Sequence, residues 1–186
     1  MSASSMFIVV LLPLFAALSQ GAGATSFSVT NQCNFVVWPA LSDQQEGGGT
    51  QLNPGETWNL ELFPPVTNNG AMAIWPRTGC DFNDAGSGSC ATGDCDGRLS
   101  CSPFFSFLHS PAATLAGFFL DDRSNTDFYD IDVINGFNVA MDFSCSTGVT
   151  IRCRDAGCPE AYQQPDDAKT QSCSGDNRSF RIVFCP

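Results

Sequence analysis

The sequence predicts an all-β domain, an antiparallel sandwich or barrel with disulfide-stapled loops. Three observations lead there. Apolar and polar residues alternate with a period of two in segment after segment, and turn-forming clusters separate those segments. The chain also carries ten cysteines, an even number, behind an N-terminal apolar run. No stretch of ten residues shows a convincing 3.6-residue period, so the alternation dominates.

The first element lies outside the expected fold. Residues 6–17 are nearly all apolar and too few to span a bilayer, and small residues follow in "GAGA" at 21–24. That pattern reads as a signal peptide cleaved after Ala24, although no Lys or Arg precedes the run. An anchored N-terminal helix is the competing reading. The expected division is a signal peptide at 1–24 and one domain at 25–186, secreted to the extracellular space, with no membrane span.

The strands follow. "TWNLEL" sets Trp58, Leu60 and Leu62 against Thr57, Asn59 and Glu61. "YDIDV" sets Tyr129, Ile131 and Val133 against Asp130 and Asp132. "FNVAMDF" sets Phe137, Val139, Met141 and Phe143 against Asn138, Ala140 and Asp142, and "FRIVF" sets Phe180, Ile182 and Phe184 against Arg181 and Val183. Each predicts a strand with one buried face. Turn signals divide them: "EGGGT" at 46–50, "NPGE" at 53–56, "TNNGA" at 67–71 and "NGF" at 135–137. Two segments break the pattern. Residues 80–103 are rich in Gly, Cys and Asp, and residues 152–174 are polar; both read as stapled loops.

Cysteine usage limits the chemistry. All ten cysteines lie beyond the leader, so five disulfides are the default in an oxidising compartment. The spacing in "CATGDCDGRLSC" at 90–101 is longer than the close pairs of a zinc site, and His109 is the only histidine. Cys90 and Cys95 have four residues between them, so there is no redox C-x-x-C pair there. Neither a metal nor another cofactor is expected. The net charge of −11 disfavours nucleic acid and anionic membrane surfaces as partners, since both require clustered Lys and Arg.

The stretch at 86–101 resembles a family signature. Gly86, Gly88, Cys90, Thr92, Gly93, Asp94, Cys95, Gly97 and Cys101 are similar to the signature of the thaumatin family at every defined position. Further blocks resemble that family in order: "SFSVTNQCNFVVWPA" at 26–40, "LNPGETWNL" at 52–60, "WPRTGC" at 75–80, "DFYDIDVINGFNVAMDF" at 127–143, "CPEAY" at 158–162 and "FRIVFCP" at 180–186. The resemblance is to plant thaumatin-like proteins of the pathogenesis-related type and implies a β-sandwich. It also implies the pairings Cys33–Cys185, Cys80–Cys90, Cys95–Cys101, Cys145–Cys173 and Cys153–Cys158. Only "RDAG" separates Cys153 from Cys158, where longer members carry a second domain. The chain therefore resembles the short, ten-cysteine class, with that domain deleted.

The resemblance also implies a candidate site. Longer members have an acidic cleft associated with β-1,3-glucan, and in some with weak glucanase activity. Its marker residues are an arginine, a glutamate and three aspartates. The arginine matches Arg77 and one aspartate matches Asp130. Gly117 replaces the glutamate, Asn135 replaces the next aspartate, and Glu160, Asp166 and Asp167 lie near the last. Asp127, Asp130 and Asp132 cluster, and alternation puts Asp130 and Asp132 on one face, ready to hydrogen-bond sugar hydroxyls. A solvated polar face, or an ion pair between Arg77 and Asp130, is the structural alternative. The expected ligand-binding set is Arg77, Asp130, Asp132 and Asn135. No catalytic residue is expected, because glycoside hydrolysis needs two positioned carboxyls and two of the markers are lost.

The remaining motifs are few. "NRS" at 177–179 makes Asn177 a glycosylation candidate. Phe104, Phe105, Phe107 and Leu108 form an apolar run that is either buried against a sheet or exposed for a partner. The expected function is a secreted, monomeric, antifungal defence protein of the plant apoplast. It would bind cell-wall polysaccharide such as β-1,3-glucan without catalysis. The alternative is an inhibitor of secreted microbial hydrolases such as xylanases, working through residues 42–50 and 104–108. Intact mass of the secreted protein should show all ten cysteines resistant to alkylation until reduced. Free thiols before reduction would contradict the disulfide assignment.

Overall fold

Alternation becomes two facing sheets in the computed structural model, which describes residues 23–42, 47–64, 70–102, 111–121 and 123–186. The strands in chain order are β1 (Thr25–Asn31), β2 (Ala40–Ser42), β3 (Gly48–Gly49), β4 (Thr57–Leu62), β5 (Met72–Trp75), β6 (Asp81–Phe82) and β7 (Gly88–Ser89). They continue with β8 (Leu115–Phe119), β9 (Thr126–Asp132), β10 (Met141–Cys145), β11 (Thr150–Cys153), β12 (Gln171–Ser174) and β13 (Ser179–Phe184). One sheet runs β11-β10-β13-β1-β4 and the other β12-β9-β8-β5-β2-β3, while β6 and β7 form a separate ribbon. The expected all-β antiparallel sandwich is the observed fold, and the described residues contain no helix.

One pairing departs from the antiparallel rule. β1 and β13 run parallel, with Phe27 opposite Phe180 and Val29 opposite Ile182. The two ends of the domain thereby share the middle of one sheet. Cys33–Cys185 ties the chain just beyond both strands, across 152 positions of sequence. A bridge closing so long a loop removes much of the freedom of the unfolded chain, an effect of about 2–4 kcal/mol. The other bridges are Cys80–Cys90, Cys95–Cys101, Cys145–Cys173 and Cys153–Cys158, the pairing implied by the resemblance.

Aromatic rings fill the space between the sheets. Phe27 of β1 lies 4.5 Å from Phe118 of β8, and Tyr129 of β9 lies 5.1 Å from Phe143 of β10, centroid to centroid. Each fully buried Phe contributes about 1.5–3 kcal/mol. The Tyr129 hydroxyl reaches the Val149 carbonyl at 2.6 Å, so its polar end is satisfied inside the core. One expected strand is shorter than its pattern. Residues 137–140 stay irregular because the Asn138 side chain bonds Thr114, Pro76 and Thr92 in place of a strand ladder.

β5 is buried on both sides. Met72 and Ile74 face the main core, while Ala73 and Trp75 turn outward into a second cluster with Ala40, Cys95, Cys101, Ala113 and Leu115. The stapled loop at 80–101 therefore lies on the outer face of the six-stranded sheet at its β2–β5 end. The outward side chains of the β8–β9–β12 end are only partly covered.

Candidate functional site

The loop that covers half of the outer face is organised around one cation. Arg77 is fully buried. Its Nε donates to the Trp38 carbonyl at 2.9 Å, and Nη1 donates to the Arg98 carbonyl at 2.6 Å. Nη2 donates to the Leu99 carbonyl at 2.7 Å and, more weakly, to that of Pro39 at 3.4 Å. Nη1 also lies 3.2 Å from the Cys95 sulfur, and the guanidinium carbon sits 5.4 Å from the centre of the Phe82 ring. Burial pulls the guanidinium down to about 10, with Asp94 opposing the shift, so it is still charged at neutral pH. Asp94 orders the same loop by accepting from the Cys90 and Gly97 amides. Gly88 allows the ribbon to close, since a Cβ there would lie 1.8 Å from the Asp81 carbonyl oxygen.

The uncovered half carries the carboxylates. On β9, Asp127, Tyr129 and Ile131 are buried, whereas Phe128, Asp130 and Asp132 point outward. Gly117 of β8 is the register partner of Asp130. A Cβ at Gly117 would meet Asp130 Oδ1 at 2.6 Å, so the missing side chain makes room for the aspartate to lie over β8. Thr170 Oγ1 donates to Asp130 Oδ2 at 3.3 Å, and the Tyr162 hydroxyl is 2.8 Å from the same Thr170 oxygen. Thr170 has one proton and gives it to Asp130, so Tyr162 is the donor in the second contact. Asp132 Oδ1 accepts from the Ile134 amide at 2.6 Å.

These surroundings perturb both acids. Burial, then the like charge of Asp132, pushes the Asp130 carboxyl up to about 6, and the Thr170 bond offsets part of that. Burial also raises Asp132, against the Ile134 amide. The face is thus a pair of carboxylates on one strand, with a hydroxyl relay on one side, Gly117 opposite Asp130 and Leu115 opposite Asp132. It can accept hydrogen bonds from hydroxyls.

The expected site residues separate. Asp130 and Asp132 share the face. Arg77 does not join them: all of its N–H groups point at loop acceptors, which corrects the ligand-binding assignment. It forms no ion pair with Asp130 either; the ion pairs among the described residues are Arg154–Asp142 and Arg178–Asp127. Asn135 is exposed in the 133–136 turn beyond β9, with no hydrogen bond of its side chain to Asp130 or Asp132. Asp127 leaves the cluster because its odd position turns it inward, where Arg178 Nε binds it at 2.6 Å. Glu160 caps the Arg152 amide on the other sheet, and Asp167 caps the amides of Gln163 and Gln164. Asn177 is exposed, with φ of 55°. Phe104, Phe105, Phe107, Leu108 and His109, with residues 43–46 of the second candidate loop, lie outside the described residues. Thr170 and Tyr162 had no signal in the sequence, because 40 positions separate Thr170 from Asp130.

A disulfide-stapled sandwich with a signature loop clamped on one sheet face defines a class, and comparison with known proteins agrees. The Thaumatin family profile matches residues 31–156, and the chain belongs to that family. It is 50% identical over 186 residues to the thaumatin-like pathogenesis-related protein 4 of Avena sativa, covering 100% of each chain. It is 49% identical to the pathogenesis-related protein 1A/1B of Hordeum vulgare, covering 98% of this chain and 99% of that one. Among solved structures, it resembles the thaumatin-like xylanase inhibitor TLXI, with a TM-score of 0.67 and 40% identity, covering 86% of this chain and 99% of that one. Five disulfides and these relatives fit an extracellular protein.

Two outcomes follow from the perturbed groups. Arg77→Met should cost about 3–5 kcal/mol in urea unfolding, because buried carbonyls lose their donors and the loop its clamp. Arg77→Lys should recover only part of that loss, since an ammonium has three donors and no planar fork. A loss below about 1 kcal/mol for Arg77→Met would mean that the staples alone hold the loop. Asp130 gives a pH signature. Its folded value is about 6 against an ordinary 3.8, so between those values the folded chain holds a proton that the unfolded chain has released. Its contribution to stability is full below that window and is lost as pH rises through about 6. Asp130→Asn should flatten that slope and raise the melting temperature at pH 7. An unchanged pH profile would show that the carboxyl is freely solvated.

Proposed function

We propose that the protein is a secreted, non-catalytic plant defence protein of the antifungal type whose open sheet face binds cell-wall polysaccharide such as β-1,3-glucan. The observation that carries this reading is the placement of Asp130 and Asp132 together on β9 with Gly117 opposite. Carboxylates held on an open face accept hydroxyl protons from a neutral sugar. The pathogenesis-related names of the Avena sativa and Hordeum vulgare relatives support the defence role.

Hydrolysis needs more than this face offers. A glycosidase sets two carboxyls on either side of the scissile bond, about 5 Å apart for retention or about 6.5–9.5 Å for inversion. Here both acids rise from one strand on the same side, and Gly117 presents no group across from them. The second carboxyl, Asp132, stands beside Asp130 on the same strand, and the β8 residues across from the two are Gly117 and Leu115. An open face also keeps water around a bound chain, which weakens any charge stabilisation.

A second reading is inhibition of microbial hydrolases, favoured by the likeness to TLXI. It would place the contact on loops, with residues 42–50 and 104–108 as candidates. The test is sedimentation with insoluble β-1,3-glucan, run beside inhibition of fungal xylanases and reducing-sugar release from laminarin. We expect co-sedimentation, no sugar release, and binding weakened about 10–100-fold in the Asp130→Ala, Asp132→Ala double variant. Robust sugar release that disappears in Asp130→Ala would overturn the non-catalytic reading. Xylanase inhibition without glucan binding would favour the second.

A further inference from the structure

The outward side of β9 holds one residue that the carboxylates do not explain. Phe128 is 41% exposed although it sits in the middle of a well-paired strand. Its register partner across β8 is Phe119, which is half-buried on the same outward side. Their chain neighbours Phe118 and Tyr129 supply the core rings at this level. The outward pair therefore adds little to the main core, and Phe128 forgoes much of the roughly tenfold or greater gain that full burial of such a ring would bring.

Rows across the sheet place this pair beside the acids. The row Phe119–Phe128 is followed along β8 and β9 by Gly117–Asp130 and then by Leu115–Asp132. Two residues along a strand span about 7 Å, so Asp130 stands one step from the Phe128 ring and Asp132 two steps. Gly117 carries no side chain, so the Asp130 carboxylate leans over β8 in the row next to the Phe119–Phe128 pair. An apolar plate next to a row of hydroxyl acceptors matches a pyranose ring, whose face is lined by C–H groups and whose rim carries hydroxyls.

We propose that Phe128, flanked by Phe119, is the platform on which a pyranose ring of a neutral polysaccharide stacks, with the chain running along β9 toward Asp130 and Asp132. The proposal rests on the glucan-binding reading above and adds the residue that seats the ring and the charge class that the site admits. Neutral sugar is selected because the two carboxylates and the net charge of −11 repel a polyuronate brought to the same face. Phe128 is a specificity and positioning residue, and the acids are hydrogen-bond acceptors for the hydroxyl rim.

The experiment is binding of the full secreted protein to soluble laminarin by calorimetry, with wild type, Phe128→Ala, Phe128→Tyr, Phe119→Ala and Asp130→Ala, each with a thermal melt. Phe128→Ala should weaken binding about tenfold or more with a melting temperature close to wild type, because the ring is exposed. Phe128→Tyr should bind within about threefold of wild type, since the plate is kept. Phe119→Ala should show a smaller loss than Phe128→Ala. Polygalacturonate should fail to compete. If wild type binds and Asp130→Ala weakens it while Phe128→Ala does not, the platform is wrong and the glucan reading stands. If wild type does not bind laminarin, both fall. Competition by polygalacturonate as strong as by laminarin overturns the neutral-sugar assignment. A Phe128→Ala loss that tracks a lowered melting temperature, with Phe128→Tyr equally weak, assigns the ring to packing and also overturns it.

Discussion

The guanidinium of Arg77 is a full charge taken out of water, and loop acceptors replace the water it loses. No carboxylate pairs with it directly; the carbonyls of Trp38, Pro39, Arg98 and Leu99 receive its protons. Such a charge is stable only while every donor is matched, because an unmatched one would leave buried polarity uncompensated. The clamp therefore works in both directions. It fixes the segments at 38–39 and 98–99 against each other, and those segments hold the arginine in its charged, buried state. The staples Cys80–Cys90 and Cys95–Cys101 close the loop covalently, but they join it only to itself. Among the links described above, Arg77 and the Trp75–Cys95–Cys101 cluster join it to the sheet.

That attachment decides which part of the sheet faces solvent. The loop covers Ala73 and Trp75 of β5 and Ala40 of β2 while Met72 and Ile74 face the main core, so all four residues of β5 are buried. Its cover thins toward β9, where Gly117, Asp130, Asp132 and Phe128 lie on the outward side. The same glycine that takes a side chain away from β8 gives Asp130 its position, and burial there raises the carboxyl to about 6. A substitution on one strand is thus linked to the electrostatics of the next. The character of the face depends on what covers its neighbour and on which side chains are missing from it.

Much of this was legible in the sequence, and the part that was not has a physical reason. The strands around Trp58, Tyr129, Phe143 and Phe180 follow from alternation, because a half-buried sheet imposes a period of two whatever its partners are. Alternation also separates Asp130 and Asp132 from Asp127, which the simple clustering of acids did not. Phe128 was open to the same argument, since it is two positions before Asp130. Arg77 was not, because its acceptors are main-chain carbonyls that every residue carries and that leave no trace in composition. The family resemblance made Arg77 a ligand contact, with an ion pair to Asp130 as the alternative, and only the fold shows that main-chain carbonyls and the Cys95 sulfur take its protons. Thr170 and Tyr162 were hidden because their approach to Asp130 depends on how 158–170 returns along β9, through the Tyr162 amide and carbonyl at Ile131 and Val133.

The proposed role of holding a polysaccharide chain draws its support from the geometry of the strand itself. Neighbouring outward positions on one strand project in parallel, so acids at 130 and 132 approach a ligand from the same side. Bond cleavage of the general acid–base kind needs groups on opposed sides of the reacting centre, and such opposition comes from a facing wall. The position best placed to supply one from β8 is Gly117, and a side chain there would meet Asp130 before it met a substrate. A raised carboxyl in this setting keeps the face less charged in acid than its composition suggests, which lowers the cost of laying a neutral chain against it. Parallel acceptors and a neighbouring strand without a side chain at Gly117 are the features that support the proposed contact along the length of a ligand.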